Sequence, residues 1–282
     1  MNTLEGTVVY KMSGSGNDFV MVDGRTDPPN QWTAERVQWV CARGTGVGAD
    51  GLVVLEPGSG PAAVRFHFFN CDGQRAEMCG NAALCAVRLS AWLELAPPEG
   101  MILETDSGPV RGQCLRGDGE RSEIELPTTT PLVTPEVSLA TGERLMRFTT
   151  VGVPHLVVLV ADLEKVAILE RGRELRQHPA VAPAGANVNF VAEDSGGWSM
   201  RTYERGVEAE TLACGTGAVA CAATLASACS VALPIGLRTR SGTELTVNAN
   251  LAQEGQLHHP LLAGHGRLTY RAILGGASRC YL

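Results

Sequence analysis

Two cysteines stand in matching surroundings. "EMCGNAALCAVRLSAWL" carries Cys79 and "LACGTGAVACAATLASA" carries Cys214. Each thiol is followed by a glycine and then by an alanine-rich run that reads as a helix, over residues 81–95 and 216–228. The start of a helix presents backbone N–H groups without intrahelical acceptors, together with the positive end of the macrodipole. A thiol placed there is pushed toward thiolate, and the same N–H groups hold carboxylates and phosphates. Gly80 and Gly215 let the backbone approach a ligand closely. The chemistry expected is proton transfer or attack by a thiol beside a bound anion. Two such thiols, one in each of two facing halves, would flank one small substrate.

Other polar residues gather near these points in the chain. Asn70 and Asp72 in "FFNCDG" precede the first helix, and Glu204 and Arg205 in "YERG" precede the second. His155 follows a Gly-x-Pro turn at the start of an apolar run, "VGVPHLVV". Asn17 and Asp18 lie in the Gly-rich turn "SGSGNDF". Neither that turn nor "RGTGVGADG" has the spacing of a phosphate or dinucleotide motif, and the latter reads as a loop that shapes the backbone. Cys41, Cys85, Cys114, Cys221, Cys229 and Cys280 read as small core residues, because unpaired cysteine is among the most buried residue types. Cys71 lies in a polar loop.

The elements that must position these groups are legible in outline. Apolar runs bounded by Gly, Pro, Asn or Asp read as strands: "TVVYKM", "DFVMVD", "GLVVLEP", "VRFHFFN", "PHLVVLVAD", "NVNFVAE" and "ELTVNA". "TAERVQWVCAR" reads as a third helix with a Thr cap. Strands outnumber helices, so the class is mixed α/β with mostly local strand pairing. The two cysteine blocks lie nearly half the chain apart and each follows a strand-like run, which points to duplication. We expect an N-terminal domain over residues 1–132, completed by a strand returning from residues 267–282, and a C-terminal domain over residues 133–266. The boundary falls in the Pro- and Thr-rich "ELPTTTPLVTPEVS".

Composition bounds the function. The 282 residues include 44% hydrophobic side chains, enough for sizeable cores. A net charge of −7 and the absence of a Lys/Arg stripe argue against nucleic acid as partner. No run of about 18 apolar residues suggests a membrane span, and the first residues lack the pattern of an export signal. Nine cysteines without a CxxC pair fit neither a disulfide framework nor a zinc site, so a reducing cytoplasm is the expected compartment.

Six blocks, in order along nearly the whole chain, resemble the diaminopimelate epimerase family of cofactor-independent amino-acid epimerases: "KMSGSGNDF", "GVGADGL", "FNCDG…AEMCGN", "GVPH", "NVNF" and "YERGVEAETLACGTGA". The resemblance implies a duplicated two-domain α/β fold, each sheet wrapped around a central helix, with the active site in the interdomain cleft. Cys79 and Cys214 would be the catalytic pair, with His155 and Glu204 supporting proton transfer. Asn17, Asn70, Asn187, Glu204 and Arg205 would contact the substrate's distal end. Gly80 with Asn81, and Gly215 with Thr216, would hold the α-carboxylate. It implies no metal, no pyridoxal phosphate, a small amino acid as substrate and a homodimer as assembly. The same chemistry on histidine or proline is the alternative. This chain departs from the usual pattern at Ser13, Ala82, Leu84 and Val153. Ala82 takes a glycine position, where a positive φ would strain its methyl group.

Overall fold

A computed structural model of the chain describes residues 4–117 and 119–275. The described residues divide into two compact units. One takes the residues up to Ile124 together with those from His265 on, and the other is Glu125–Gly264.

In the first unit, β1 (Val8–Gly14) and β2 (Asn17–Asp23) form an antiparallel pair. The helix α1 (Ala34–Cys41) carries the chain across to β3 (Gly51–Pro57), which lies parallel to β2. Next come β4 (Ala63–Asn70), antiparallel to β3, and the short β5 (Arg75–Ala76). Then α2 (Gly80–Trp92) leads to β6 (Met101–Thr105), parallel to β4, and to the antiparallel β7 (Gly108–Cys114) and β8 (Arg121–Glu125).

The α1 helix starts at Thr33, whose hydroxyl accepts from the Arg36 N–H and so satisfies one of the first-turn donors. Its apolar face (Val37, Val40, Cys41), with Trp32 just before the helix, packs on Val20, Val22, Leu52, Val54 and Phe69. Side chains alternate along a strand, so Phe19, Val53 and Phe68 turn to the opposite face, where α2 packs on β1, β2 and β3.

The second unit repeats this order: β9 (Glu143–Val151), β10 (Val153–Val160), α3 (Ile168–Arg176), β11 (Asn187–Asp194), β12 (Gly197–Glu204), β13 (Ala209–Thr211), α4 (Gly215–Ala228), β14 (Ile235–Arg238), β15 (Glu244–Leu251) and β16 (Leu257–His265). Each pairing recurs with the same sense: β9–β10 antiparallel, β10–β11 parallel, β11–β12 antiparallel and β12–β14 parallel. The fold is therefore mixed α/β, rich in strands and duplicated. In α4, 11 of 14 residues are buried, which marks an inner helix apolar on every side. The chain then returns to the first unit, where β17 (Arg267–Ile273) pairs antiparallel with β1.

One helix has no counterpart in the sequence reading. α3 begins after Ala167, which offers no side-chain cap, and Gly172 interrupts it. That glycine is required by packing: a Cβ there would lie 2.6 Å from the Tyr203 Cβ, so its absence lets α3 lie directly on β12.

Candidate functional site

Both cysteines occupy the N-cap position of an inner helix. Cys79 precedes α2 with φ −136° and ψ 123°, and Cys214 precedes α4 with φ −137° and ψ 111°. Their carbonyls close the first turns, accepting from Ala83 N–H at 2.8 Å and Ala218 N–H at 2.9 Å. Neither thiol caps its own helix. The first turns, Gly80-Asn81 and Gly215-Thr216, carry no acidic side chain to compete for an anion. Cys214 is buried, and its sulfur lies 3.7 Å from the Thr216 hydroxyl.

In the first unit, Asn81 donates from Nδ2 to Asn17 Oδ1 at 2.7 Å, and Asn17 donates from Nδ2 to Asp50 at 2.9 Å. Asp50 also accepts from Arg43 at 2.7 Å, and Arg43 pairs with Asp18 at 2.6 Å. Lys11 binds Asp18 at 2.6 Å from the other side. Burial alone would raise the Asp18 carboxyl, but hydrogen bonds from Arg43 and Lys11 outweigh it and hold the group below the usual carboxylate range. This network orients Asn17 and, through it, Asn81 beside Cys79. The "GVGADG" loop therefore does more than shape backbone, since its Asp50 is the anchor of Asn17. Asn70 sits apart at the exposed end of β4, with its N–H donated to the Gln74 carbonyl at 2.9 Å.

In the second unit, His155 and Asn187 are register partners on the parallel strands β10 and β11. Asn187 Oδ1 accepts from the Arg205 N–H at 2.8 Å, which ties the end of β12, where Glu204 stands, to β11. His155 is fully buried. Asn189, two residues after Asn187 and on the same face, donates from Nδ2 to His155 Nδ1 at 3.1 Å. Among the described residues, His155 Nε2 has no hydrogen-bond partner. Burial, with help from the Arg205 charge, pushes the His155 pKa down to about 3, so the ring is neutral at physiological pH. Thr202 donates its hydroxyl to Asn189 Oδ1 at 3.0 Å. Leaving a buried donor such as Nε2–H unpaired costs about 1–3 kcal/mol.

The expected site residues thus form two sets, one per unit. Cys79, Gly80, Asn81 and Asn17 are joined in the first, with Asn70 apart from that chain of bonds. In the second, His155, Asn187 and Arg205 are linked on neighbouring strands, Glu204 adjoins Arg205, and Cys214, Gly215 and Thr216 start the inner helix. Sequence reasoning missed Asp50, Asn189 and Thr202. For Asn189 a signal existed, because "NVNF" places two asparagines on one face of an otherwise apolar strand.

Ala82 is free of the strain considered above. It is a fully buried helical residue of α2 and is absent from the residues with positive φ. Cys41, Cys85 and Cys221 are buried core thiols, and burial pushes Cys41 up to about 12. Cys114 and Cys229, expected in the core, are only half-buried because they lie at the ends of β7 and α4. Cys71 is exposed, and Cys280 lies outside the described residues. A cavity of about 370 Å³ in the second unit, beside the Asp194–Arg238 ion pair, touches none of the expected site residues. Among the described residues, no group of three or more His, Cys, Asp and Glu side chains could hold a metal ion. Among the same residues, no helix is long and apolar enough to cross a membrane.

The same duplicated fold occurs in solved structures of low sequence identity. A Bacillus anthracis phenazine biosynthesis protein of the PhzF family superposes with a TM-score of 0.72 at 14% identity, covering 97% of this chain and 99% of that one. A probable proline racemase from Agrobacterium radiobacter does so with a TM-score of 0.65 at 18% identity, covering 95% and 92%. Sequence narrows this further. The diaminopimelate epimerase family model matches residues 9–128 and 147–256. The diaminopimelate epimerase of Gemmatimonas aurantiaca is 43% identical over 94% of this chain and 98% of its own, and that of Aquifex aeolicus 41% over 85% and 88%. The chain belongs to the diaminopimelate epimerase family, and it is an isomerase.

Proposed function

We propose that this enzyme interconverts L,L- and meso-2,6-diaminopimelate by proton transfer at the α-carbon between two thiols, serving lysine and cell-wall precursor synthesis. The observation that carries this reading is the pair of equivalent helix starts, each capped by a cysteine in nearly the same backbone conformation. Inversion needs a base on one face of the carbon and an acid on the other. One cysteine thiolate takes the α-proton, leaving its electron pair on the substrate as a carbanion. The thiol of the other cysteine then delivers its proton to the opposite face, so the two sulfurs exchange roles in each turnover. This function requires the two halves to present both helix starts to one substrate.

The carbanion has no electron sink beyond the α-carboxylate, so the protein must stabilise it. A helix dipole supplies only about 0.3–1 kcal/mol where exposed, whereas a preorganised donor in a dry site is worth about 3–4 kcal/mol. The first turns at Gly80-Asn81 and Gly215-Thr216 are the donors we assign to the α-carboxylate. Asn17, Asn70, Asn187, Glu204 and Arg205 are assigned to the distal ammonium and carboxylate. A substrate with two charged ends suits that polar set better than proline or histidine does. His155 and Glu204 assist proton transfer. Free thiols fit a reducing cytoplasm, and the exposed Leu268, Tyr270 and Ile273 of β17 support a homodimer.

The test is α-proton exchange in D₂O with L,L-diaminopimelate, histidine and proline offered separately. Exchange with inversion of diaminopimelate alone is expected, and Cys79→Ser and Cys214→Ser should each lower it by about 10²-fold or more. Near wild-type turnover in either variant, or exchange only with another amino acid, would end the proposal.

A further inference from the structure

His155 Nδ1 and the Leu156 carbonyl oxygen both face the same nitrogen of Asn189, at 3.1 and 3.4 Å. The carbonyl can only accept, so the atom between them is the amide NH₂ and Nδ1 must accept as well. Thr202 holds the other end of that amide, donating its hydroxyl to Oδ1 at 3.0 Å. A neutral imidazole that accepts at Nδ1 carries its proton on Nε2. That Nε2 is buried and without a partner among the described residues.

The amide also lies against the helix that starts at Cys214. A Cβ built on Gly217 would come within 2.3 Å of Asn189 Oδ1 and 3.2 Å of Cys214 Cβ. Glycine at this position lets the first turn of α4 rest on Asn189. All of these groups, His155, Asn189 and Thr202 included, are almost wholly removed from bulk solvent.

We infer that Asn189, braced by Thr202, is a positioning residue that locks His155 in the Nε2–H tautomer, making His155 a neutral hydrogen-bond donor to negative charge that develops during the proposed reaction. His155 then does not remove the α-proton. It stabilises the anion that forms, the thiolate or the substrate carbanion, while the proton itself passes between the thiols. The inference rests on the functional reading above for its catalytic consequence, and on the hydrogen bonds alone for the tautomer.

The test uses the full chain labelled with ¹⁵N-histidine, with the His155 resonances assigned by their loss in His155→Gln. Nε2 should give a protonated, pyrrole-type signal and Nδ1 an unprotonated, pyridine-type one, both unchanged from about pH 5 to pH 8. Asn189→Asp replaces the donor with an acceptor and should move the proton to Nδ1. Its kcat should fall by about 10²-fold or more while KM stays within about threefold. Thr202→Val keeps the core volume and loosens the amide, so a minor Nδ1–H population and a smaller loss of kcat are expected. A wild-type ring protonated on Nδ1, or charged in this range, overturns the tautomer. A folded Asn189→Asp variant that switches tautomer yet keeps wild-type kcat overturns its role. If Asn189→Asp does not fold, the wild-type spectrum and Thr202→Val decide. Failure of diaminopimelate to exchange its α-proton would remove the proposed substrate and leave the tautomer result standing.

Discussion

The beds on which the two inner helices lie differ although the strands beneath them match residue for residue. On the antiparallel pair of the first unit Val53 faces Phe68, and on that of the second Asn189 faces Thr202. On the parallel pairs Phe19 stands beside Gly51, and His155 beside Asn187. Phe19, Val53 and Phe68 therefore occupy the places that His155, Asn189 and Thr202 take in the repeat. The first set is apolar, with the Phe19 and Phe68 rings edge-to-face at 6.2 Å. The second is a buried polar chain that ends in His155 Nε2, a donor without a partner among the described residues. The first unit shows that this architecture is satisfied by hydrocarbon at these positions. The polar chain is then a cost that folding does not require, and such costs collect at functional sites. The helices respond in kind: Gly217 has no room for a methyl group over Asn189, whereas the corresponding Ala82 is accommodated in the core.

Making the second bed like the first should give the largest effect. His155→Phe with Asn189→Val and Thr202→Val should lower turnover by about 10²-fold or more. The same variant should keep or raise stability, by about 1–3 kcal/mol, because the unpaired donor is gone. Denaturant unfolding beside the exchange assay checks both, and a variant that retains activity would break the comparison. Gly217→Ala should destabilise by about 1–3 kcal/mol, since its methyl group meets the Asn189 oxygen. Ala82→Gly should cost about 1 kcal/mol through helix propensity and somewhat more through loss of its buried methyl group, as thermal unfolding of the two variants would show. A third measurement is acid stability. The unfolded chain protonates His155 below its ordinary pKa of 6.5, while the folded chain resists until about 3. Stability from this group is complete above 6.5 and is lost as pH falls toward 3, amounting to about 2 kcal/mol at pH 5. His155→Phe should flatten the pH dependence of urea unfolding over this window. The smallest effect concerns the first unit, where Asp50→Asn should loosen Asn17 and raise KM about fivefold, near 1 kcal/mol.

Much of this was legible in the sequence where the signal is local. Both cysteine helices begin within a residue of the glycine that marks them, and the apolar runs bounded by Gly, Pro and Asp became β1 to β4, β10, β11 and β15. The hidden parts depend on contacts distant in the chain. α3 was obscured by Gly172, which is a helix breaker by propensity and a packing necessity against Tyr203. Asp50 acts on Asn17 across 33 positions and Asn189 on His155 across 34, and no spacing rule announces either hydrogen bond. The resemblance carried the reacting residues, but the groups that aim them became visible only once strand register was known.

The return of β17 to β1 has a consequence for biosynthesis. A ribosome delivers every strand of the contiguous second unit before it delivers Arg267–Ile273. The nascent chain can therefore finish its later half first, while β1 waits without its outer neighbour. The usual N-to-C order of domain maturation during translation is inverted, and until Arg267–Ile273 emerge the chain has a temporary open sheet edge at β1 that chaperones would encounter.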